Sequence, residues 1–467
     1  MRWKRTVFLC LAALSGCPDN PGRDPPRDQF FFPIAGAVDA EGRWLYVVNS
    51  DFDLAYNGGT VVAVDLDRVR ARAASPEARG CSPDTDAPGA FFCDESPFIP
   101  RPDQTRRISP FGVDAAWVRY PAAGRDRLYV IVRGDGSLTW FDLNRAPDGS
   151  RDDGALDCGN GGDPGGACGA SHRAGVDPVQ GLRNDVLPPD PAALSVDETQ
   201  GWITVVHQST DPNLPRASLF RDPIALAGAG QSAAPQLMNV VGQLPAGLSS
   251  LALVRRGDRS RSTWLATSRS EATFTLLQAY PGSGPLQDAR PFLYRAALAP
   301  VQGLNTGANS RAVALDPAPG SNRAYVVSRS PEALLTLDLT DLNRPAVTEV
   351  LALPLGPSRL TALTAEVDGA PRTLVFVVSY DSRRLTVIDP EARRVVTRLQ
   401  TQRGPHQLVR DPRGEYLFIM DFLDSTVEVL RLRPNMAVSA EQRTRCPDAA
   451  LCRVLTLGLP SPPVVNR

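Results

Sequence analysis

A short apolar segment recurs seven times along the chain, and this repeat limits the possible folds more than any other sequence feature. Each copy is a run of mostly apolar residues bounded by turn-forming residues, a pattern typical of a strand buried on both faces. Such repetition indicates an array of one supersecondary unit. The copies are WLYVVNS (44–50), RLYVIVR (127–133), WITVVHQ (202–208), WLATSRS (264–270), AYVVSRS (324–330), VFVVSYD (375–381) and LFIMDFL (417–423).

Turn and strand signals flank the repeated segment. An aspartate precedes it in six copies, and DAEGR, DETQG and DPRGE are typical of a tight turn between antiparallel strands. A third strand follows, least clearly in copy 3, and a fourth is visible in the last three copies. The aspartates are Asp39, Asp114, Asp197, Asp316, Asp368 and Asp411; the third strands are expected at 60–66, 137–143, 217–223, 274–280, 334–339, 385–390 and 427–432, and the fourth at 347–355, 394–400 and 452–458.

Units of four short strands cannot each bury both faces, so they must pack against their neighbours. Radial closure does this and leaves only short protected edges. We therefore expect an all-β fold over residues 30–463, a seven-bladed β-propeller of four-stranded antiparallel blades, although the length of the early repeats also permits eight blades. The blades are expected at about 30–107, 108–186, 187–243, 244–304, 305–356, 357–402 and 403–460.

The segments LYVVN, LYVIV and AYVVS resemble the repeat of YVTN-type seven-bladed β-propellers. The resemblance covers about Phe30 to Pro460, and copies 3 and 4 depart from it. It implies a propeller but leaves the function open, because this fold supports several functions. Some similar propellers open sugar lactones, and related repeats occur in haem-d nitrite reductases and amine dehydrogenase heavy chains.

The first 29 residues predict export and attachment to a membrane. Three basic residues precede the apolar run 7–14, as in a secretory signal peptide, expected here at 1–16. Leu14-Ser15-Gly16-Cys17 resembles the bacterial lipoprotein box, which implies a lipidated Cys17; an ordinary signal peptide is the alternative. Residues 17–29 are proline-rich and predict a solvated tether. We expect a lipid-anchored extracytoplasmic protein of the cell envelope, at the outer membrane or cell surface.

Apart from Cys10 and Cys17, six cysteines form three close pairs, which in an exported protein indicate local disulfides. Zinc is the weaker alternative, because no C-x-x-C occurs. All three pairs fall between a third and a fourth strand, so we expect them opposite the functional face, in one sector beside the tether; simple bracing of long loops would explain them equally well. The pairs are Cys81/Cys93, Cys158/Cys168 and Cys446/Cys452.

Composition argues against several classes of protein. Lys4 is the only lysine, which excludes a G-x-x-x-x-G-K phosphate loop and Schiff-base chemistry in the mature chain. The chain has three histidines and no H-E-x-x-H or C-x-x-C-H, so we predict no metal and no cofactor. Acidic loops at 51–59 and 148–153 lack the final glutamate of a calcium loop and are interpreted as solvated. The 50 basic and 51 acidic residues are interspersed, which argues against nucleic-acid binding.

The ends of the second strands predict a candidate ligand site. In a propeller these ends lie on one face, near the start of the next innermost strand, and His406 should enter from the same face. Arginines and histidines around one channel mouth would suit a carboxylate or phosphate, although a solvated rim is the simpler interpretation. The strand-end residues are Asn49, Arg133, His207, Arg269, Arg329, Tyr380, Asp381 and Asp421; the candidate ligand-binding residues are Arg133, His207, Arg269, Arg329 and His406.

These features favour a non-enzymatic, membrane-anchored lipoprotein whose propeller is a binding or scaffold module for an envelope protein or a small ligand. The alternative is a lactonase-type hydrolase with its site at the channel mouth, for which His406 in PHQ is the one matching residue. A redox role has the least support, because the sequence lacks a haem attachment motif.

Overall fold

The computed structural model describes residues 22–459, except 76–79, 88, 144–153, 160–165, 227–232, 255–260, 283–289, 302–308, 368–369 and 433–450. The described chain forms seven antiparallel blades of four strands each, which confirms the predicted seven-bladed β-propeller. The second strand of each blade is almost wholly buried, as its continuous apolar sequence predicts.

The first four blades are each made from consecutive stretches of chain. From innermost to outermost strand, blade 1 is β1 (Pro33–Val38), β2 (Trp44–Asn49), β3 (Gly59–Asp65) and β6 (Arg106–Ile108); blade 2 is β7 (Gly112–Tyr120), β8 (Arg125–Val132), β9 (Ser137–Leu143) and β10 (Arg173–Ala174); blade 3 is β11 (Pro191–Asp197), β12 (Trp202–His207), β13 (Ala217–Arg221) and β14 (Gln236–Val241); blade 4 is β15 (Leu248–Leu253), β16 (Thr263–Ser268), β17 (Thr273–Tyr280) and β18 (Phe292–Pro300).

The last three blades follow the same plan. Blade 5 is β19 (Ser310–Leu315), β20 (Arg323–Arg329), β21 (Glu332–Asp338) and β22 (Ala346–Ala352); blade 6 is β23 (Pro357–Val367), β24 (Ala370–Ser379), β25 (Arg384–Asp389) and β26 (Arg394–Gln400); blade 7 is β27 (Pro405–Arg410), β28 (Tyr416–Asp421), β29 (Thr426–Leu432) and β30 (Leu451–Leu457).

A few elements lie between the strands of a blade or between two blades. Between β3 and β6 the chain forms the helix α1 (Leu66–Ala74) and the short strands β4 (Cys81–Pro83) and β5 (Phe91–Cys93). Short 3-10 turns occupy Ser96–Phe98, Pro102–Gln104, Pro121–Ala123, Ala170–His172, Pro178–Gln180 and Pro223–Leu226.

The blades are arranged in a closed ring. Each innermost strand contacts the innermost strands of both neighbouring blades, and β1 contacts β27. The hydrophobic clusters lie between blades; one joins Leu45 and Val47 of blade 1 to Phe418 and Met420 of blade 7. Each blade therefore buries its faces against its neighbours, as the repeat predicts.

Four of the predicted turn aspartates lie at the end of an innermost strand or directly after it, as expected: Asp39, Asp197, Asp316 and Asp411. Each accepts backbone N–H groups of its own turn. The prediction for Asp114 is wrong: this residue lies near the start of β7, because β7 is longer than the other early innermost strands and its turn comes later. Asp368 lies outside the described residues.

The turn aspartates also join neighbouring blades. The second carboxylate oxygen of Asp197 accepts a hydrogen bond from the Ser262 hydroxyl of blade 4 at 2.6 Å, and Asp316 accepts one from Thr373 of blade 6 at 2.7 Å. A buried carboxylate with both oxygens bonded is favourable, whereas an unpaired one is costly. The repeated aspartate therefore stabilises both the turn and the junction between blades.

Two of the predicted disulfides are present, Cys81–Cys93 and Cys158–Cys168, and each lies in a segment that reaches back to the preceding blade. The hairpin of β4 and β5 leaves blade 1 and adds to the outer edge of blade 7, where β5 pairs in parallel with β30. In the same way Ala167, beside Cys168, pairs in parallel with Arg107 on the outer edge of blade 1. Both segments therefore extend the sheet of the blade before their own.

The two disulfide-bonded loops do not lie where the sequence predicts. The two described pairs do lie in one sector, but not on the opposite face. Cys93 pairs with Leu457, at the end of β30 that is level with the start of the innermost strands. The Cys81–Cys93 loop therefore lies at the outer edge, toward the face on which the candidate ligand site is expected. Cys446 lies outside the described residues, and its pairing with Cys452 stays a prediction.

The described part of the expected tether, residues 22–29, lies along blade 1. The Arg23 carbonyl accepts the backbone N–H of Asn57 at 2.9 Å, and the Arg27 carbonyl accepts the Thr105 hydroxyl at 2.6 Å. The Asp24 carboxylate pairs with Arg107 at 3.0 Å. This part of the segment is therefore fixed on the propeller rather than solvated on all sides.

Replacing Cys81 and Cys93 together by serine should lower the free energy of unfolding by about 2–3 kcal/mol, because the disulfide constrains the unfolded chain. Weaker attachment of β5 should also speed amide hydrogen exchange in β30. As a control, the double variant Cys158→Ser/Cys168→Ser should lose similar stability without affecting β30. Equal exchange of β30 in both double variants would contradict the role given to the hairpin.

Candidate functional site

Every innermost strand has a β-bulge beside its first residue, and these bulges define rings of side chains at one end of the central channel. We call this end the channel mouth. The bulged residues, which form the middle ring, are Ile34, Val113, Ala192, Ser249, Arg311, Ser358 and His406. The residues after them, the lower ring, are Ala35, Asp114, Ala193, Ser250, Ala312, Arg359 and Gln407.

An upper ring is defined by a repeated backbone hydrogen bond. In each blade, the residue after the paired part of the second strand donates its N–H to the residue preceding the innermost strand. The upper-ring residues are Ser50, Arg133, Gln208, Arg269, Arg329, Tyr380 and Phe422. Three of the five candidate ligand-binding residues, Arg133, Arg269 and Arg329, therefore occupy equivalent positions, as expected.

His207 does not belong to this ring, because it precedes the ring position by one residue. Successive strand residues point to opposite faces, so the side chain of His207 turns into the blade, where it is fully buried. Its Nδ1 donates to the Pro189 carbonyl at 3.1 Å, and its Nε2 accepts from the Ser218 hydroxyl at 2.9 Å. Burial lowers the pKa of His207 to about 4. Asn49 and Asp421 are buried at the same position.

Four arginines come together at the mouth, namely Arg133 and Arg269 of the upper ring, Arg311 of the middle ring and Arg359 of the lower ring. Arg133 is electrostatically coupled to Arg269 and Arg359, and loss of hydration together with these neighbours lowers its pKa. Burial and the nearby Arg329, Arg269 and Arg359 lower the pKa of Arg311 to about 10. Such lowered pKa values show that the guanidinium groups repel one another in a partly desolvated space.

The arginines at the mouth differ in their partners. Arg329 pairs with Asp381 at 2.5 Å, and Arg133 donates to the Pro191 carbonyl at 3.1 Å. Within the described part of the chain, neither Arg269 nor Arg311 pairs with a carboxylate, and the buried Nε of Arg311 has no hydrogen-bond partner. Arg311 therefore has unused donor capacity beside three other cations.

One carboxylate lies beneath the arginines. Asp114 accepts the Leu194 N–H of blade 3 at 3.0 Å and the Gln407 amide of blade 7 at 3.3 Å, so its bonds reach across blade 1. Burial raises the pKa of Asp114, and Arg359 opposes this shift. Arg359 donates to the Arg311 carbonyl at 3.1 Å. Together Asp114, Arg359 and Gln407 form the base of the mouth.

His406 lies at this mouth as expected, and it is neutral. Burial, Arg359 and Arg133 lower its pKa to about 3. Because the Ile34 carbonyl at 3.0 Å can only accept, Nδ1 holds the proton and Nε2 has the lone pair. A base this weak is poorly suited to general base catalysis near neutral pH.

Sequence reasoning missed Arg311, Arg359, Asp114 and Gln407 as members of the site. They lie on innermost strands, which have no motif of their own, and the bulge that turns them toward the channel has no clear sequence signature. One signal was available: Arg311 and His406 occupy equivalent positions, each one residue after the first residue of its innermost strand.

The described residues contain no group of three or more histidine, cysteine or acidic side chains placed to hold a metal ion. In the acidic loop at 51–59, Asp51 and Asp53 instead accept backbone N–H groups of their own loop. Burial and the nearby Asp53 raise the pKa of Asp51 to about 6. Residues 148–153 lie outside the described chain.

No protein-family model matches the chain, and no curated protein matches it. Among solved structures, a hydrazine synthase chain of Kuenenia stuttgartiensis matches with a TM-score of 0.48 and 10% identity, covering 87% of this chain and 97% of that one. A functionally unknown protein of Desulfotomaculum acetoxidans matches with a TM-score of 0.47 and 9% identity, covering 85% and 91%. Apo AztD of Citrobacter koseri matches with a TM-score of 0.42 and 12% identity, covering 92% and 87%. These likenesses give no information about ligand or activity.

The buried His207 predicts a specific pH dependence of stability. Below about pH 6.5 the unfolded chain takes up a proton on this residue that the native protein takes up only near pH 4, so acidification destabilises the fold. When the pH falls from 7 to 5, the free energy of unfolding, measured by urea denaturation, should decrease by about 2 kcal/mol less for His207→Gln than for wild type. Above pH 7 the free energies of unfolding of the two proteins should depend on pH in the same way. The same dependence on pH in both proteins below about pH 6.5 would contradict the low pKa of His207.

Proposed function

We propose that the channel mouth binds an anionic group, a carboxylate or a phosphate, and that the protein is a binding module anchored to the cell envelope by lipid. The observation that carries the proposal is the convergence of Arg133, Arg269, Arg311 and Arg359 at the mouth. Burial lowers the pKa of Arg133, Arg311 and Arg359, and neighbouring arginines lower the pKa of the first two further. Crowded cations are unfavourable unless an anion offsets their repulsion, and guanidinium groups bind carboxylate and phosphate through paired hydrogen bonds.

A hydrolase of the lactonase type has less support than a binding module. Its one matching residue, His406, would be a weak base, because burial and the nearby Arg359 and Arg133 lower its pKa to about 3. The neutral His406 instead offers Nε2 as an acceptor, for example to a hydroxyl group of the ligand. The YVTN-type resemblance is compatible with either function.

The membrane attachment rests on the lipobox-like tetrad ending at Cys17, which lies outside the described residues. The two disulfides support export, because such bonds persist in oxidising compartments. No helix of the described chain has the length and hydropathy to cross a membrane. A lipid on Cys17 would hold the propeller at the extracytoplasmic surface.

Anion binding can be measured by calorimetric titration with inorganic phosphate at low ionic strength. Arg311→Met should weaken phosphate binding about tenfold or more, because it removes a charged donor. Arg344→Met is the matched control, since Arg344 is an exposed arginine in the turn between β21 and β22 at the opposite end of blade 5. The absence of phosphate binding by wild type, or an equal effect of both variants, would contradict the proposal.

Lipidation can be tested by detergent-phase partition of the exported protein. Cys17→Ser should move the protein from the detergent phase to the aqueous phase, because no acyl chain can be attached. Cys10→Ser should partition like wild type, since Cys10 belongs to the part of the signal peptide that is removed. Unchanged partition of the Cys17 variant would refute the lipoprotein assignment.

A further inference from the structure

The channel mouth has an aromatic sector next to its arginines. We define it as Phe32, Phe52, Phe111 and Phe422, which come from blades 1, 2 and 7. Phe422 lies 5.2 Å from Phe32 and 5.3 Å from Phe52, measured between ring centroids. Phe52 also contacts Phe111 edge-on at 6.2 Å.

The aromatic sector reaches solvent through Phe52, whose side chain is 58% exposed. Leu54, in the same loop, is equally exposed, and Leu423 lies beside Phe422. Exposed apolar side chains that cluster at one place are typical of a surface that binds an apolar group.

Two members of the sector have an unfavourable backbone conformation. Phe32 and Phe111 have φ values of 47° and 62°, in the left-handed region. At the equivalent position before the innermost strand, blades 4, 6 and 7 have glycine, namely Gly247, Gly356 and Gly404. A bulky residue here costs free energy that glycine avoids, so the aromatic rings are retained at a cost to stability.

The aromatic sector adjoins the arginine side of the mouth at two points. The Arg133 N–H donates to the Phe111 carbonyl at 2.9 Å, so one blade supplies both an arginine and an aromatic ring. His406 lies 6.2 Å from Phe422 and is coupled to Arg359 and Arg133. The aromatic sector therefore borders the part of the mouth that the arginines surround.

We propose that the ligand is an aromatic anion, a carboxylate or phosphate attached to an aromatic ring. This inference rests on the proposed anion binding. The anionic group contacts Arg133, Arg269 and Arg311, while the ring packs against the exposed Phe52, which the buried Phe422 supports from behind, in offset or edge-to-face geometry. Charge complementarity with the arginines and the exposed ring of Phe52 select this class over inorganic anions and neutral aromatic compounds.

The test compares phenyl phosphate with inorganic phosphate, and benzoate with acetate, by calorimetric titration. Each aromatic anion should bind more tightly than its simple counterpart, and the tighter of the two identifies the preferred acidic group. Cyclohexanecarboxylate, which has a similar size but no aromatic face, should bind more weakly than benzoate.

Two variants distinguish the contribution of the arginines from that of the aromatic sector. Phe52→Ala should weaken phenyl phosphate binding about three- to tenfold and leave inorganic phosphate binding unchanged. Val179→Ala is the matched control, because Val179 is 81% exposed and lies in the connection between blades 2 and 3. Arg311→Met should weaken both phosphates.

Three results would overturn the inference. If phenyl phosphate and inorganic phosphate bind equally well, and Arg311→Met weakens both, the ligand is not aromatic but the proposed anion binding stands. If Phe52→Ala weakens both anions alike, Phe52 acts on the structure of the mouth rather than on the ring. If inorganic phosphate does not bind wild type at all, the inference fails together with the proposed function.

Discussion

The closure of the ring is the constraint on which the rest of this structure depends. Blades 7 and 1 are adjacent but far apart in sequence, so packing and hydrogen bonds must hold their junction. Here β5 adds to β30, and the buried Arg453 of β30 pairs with Asp84 of the β4–β5 hairpin at 3.0 Å. On the other side of the junction, Arg70 of α1 pairs with the turn aspartate Asp411 at 2.8 Å. Both partners of the first ion pair are buried, as is Asp411 in the second, so loss of either pair would be costly at the junction.

The closing junction also forms part of the channel mouth. His406 donates to the Ile34 carbonyl at 3.0 Å, and Gln407 accepts the Gly36 N–H at 2.7 Å, so both residues of β27 bond to β1. Gln407 also donates to Asp114 in blade 2, beyond blade 1. The arginines of blades 2, 4, 5 and 6 therefore face a polar network that is present only in the closed ring. The side chains that close the ring also border the proposed ligand site, so a change at this junction should affect both ring closure and the proposed binding.

Much of the fold follows from the sequence, because the signals for buried strands and tight turns are local. The seven segments around residues such as Tyr46 and Tyr325 form buried second strands as expected. The site was harder to predict, because it depends on register. A one-residue offset turned His207 into the blade, and no local pattern indicates that the bulges direct Arg311 toward the channel. Asp114 resembled a turn residue because the greater length of β7 is not evident from its sequence.

Residues 22–29 and the β4–β5 hairpin belong to the same part of the chain, and this has a mechanical consequence. The first of these segments bonds to blade 1 through Asn57, Thr105 and Arg107. Blade 1 is joined to blade 7 by its hairpin and to blade 2 by the parallel pairing of Arg107 with Ala167. A pulling force applied at residue 22 would therefore be shared among three blades. Residues 22–29 bond to the ring beside the segments that extend the sheets of blades 7 and 1. Separating one outer strand by such a force would therefore require several of these segments to detach together.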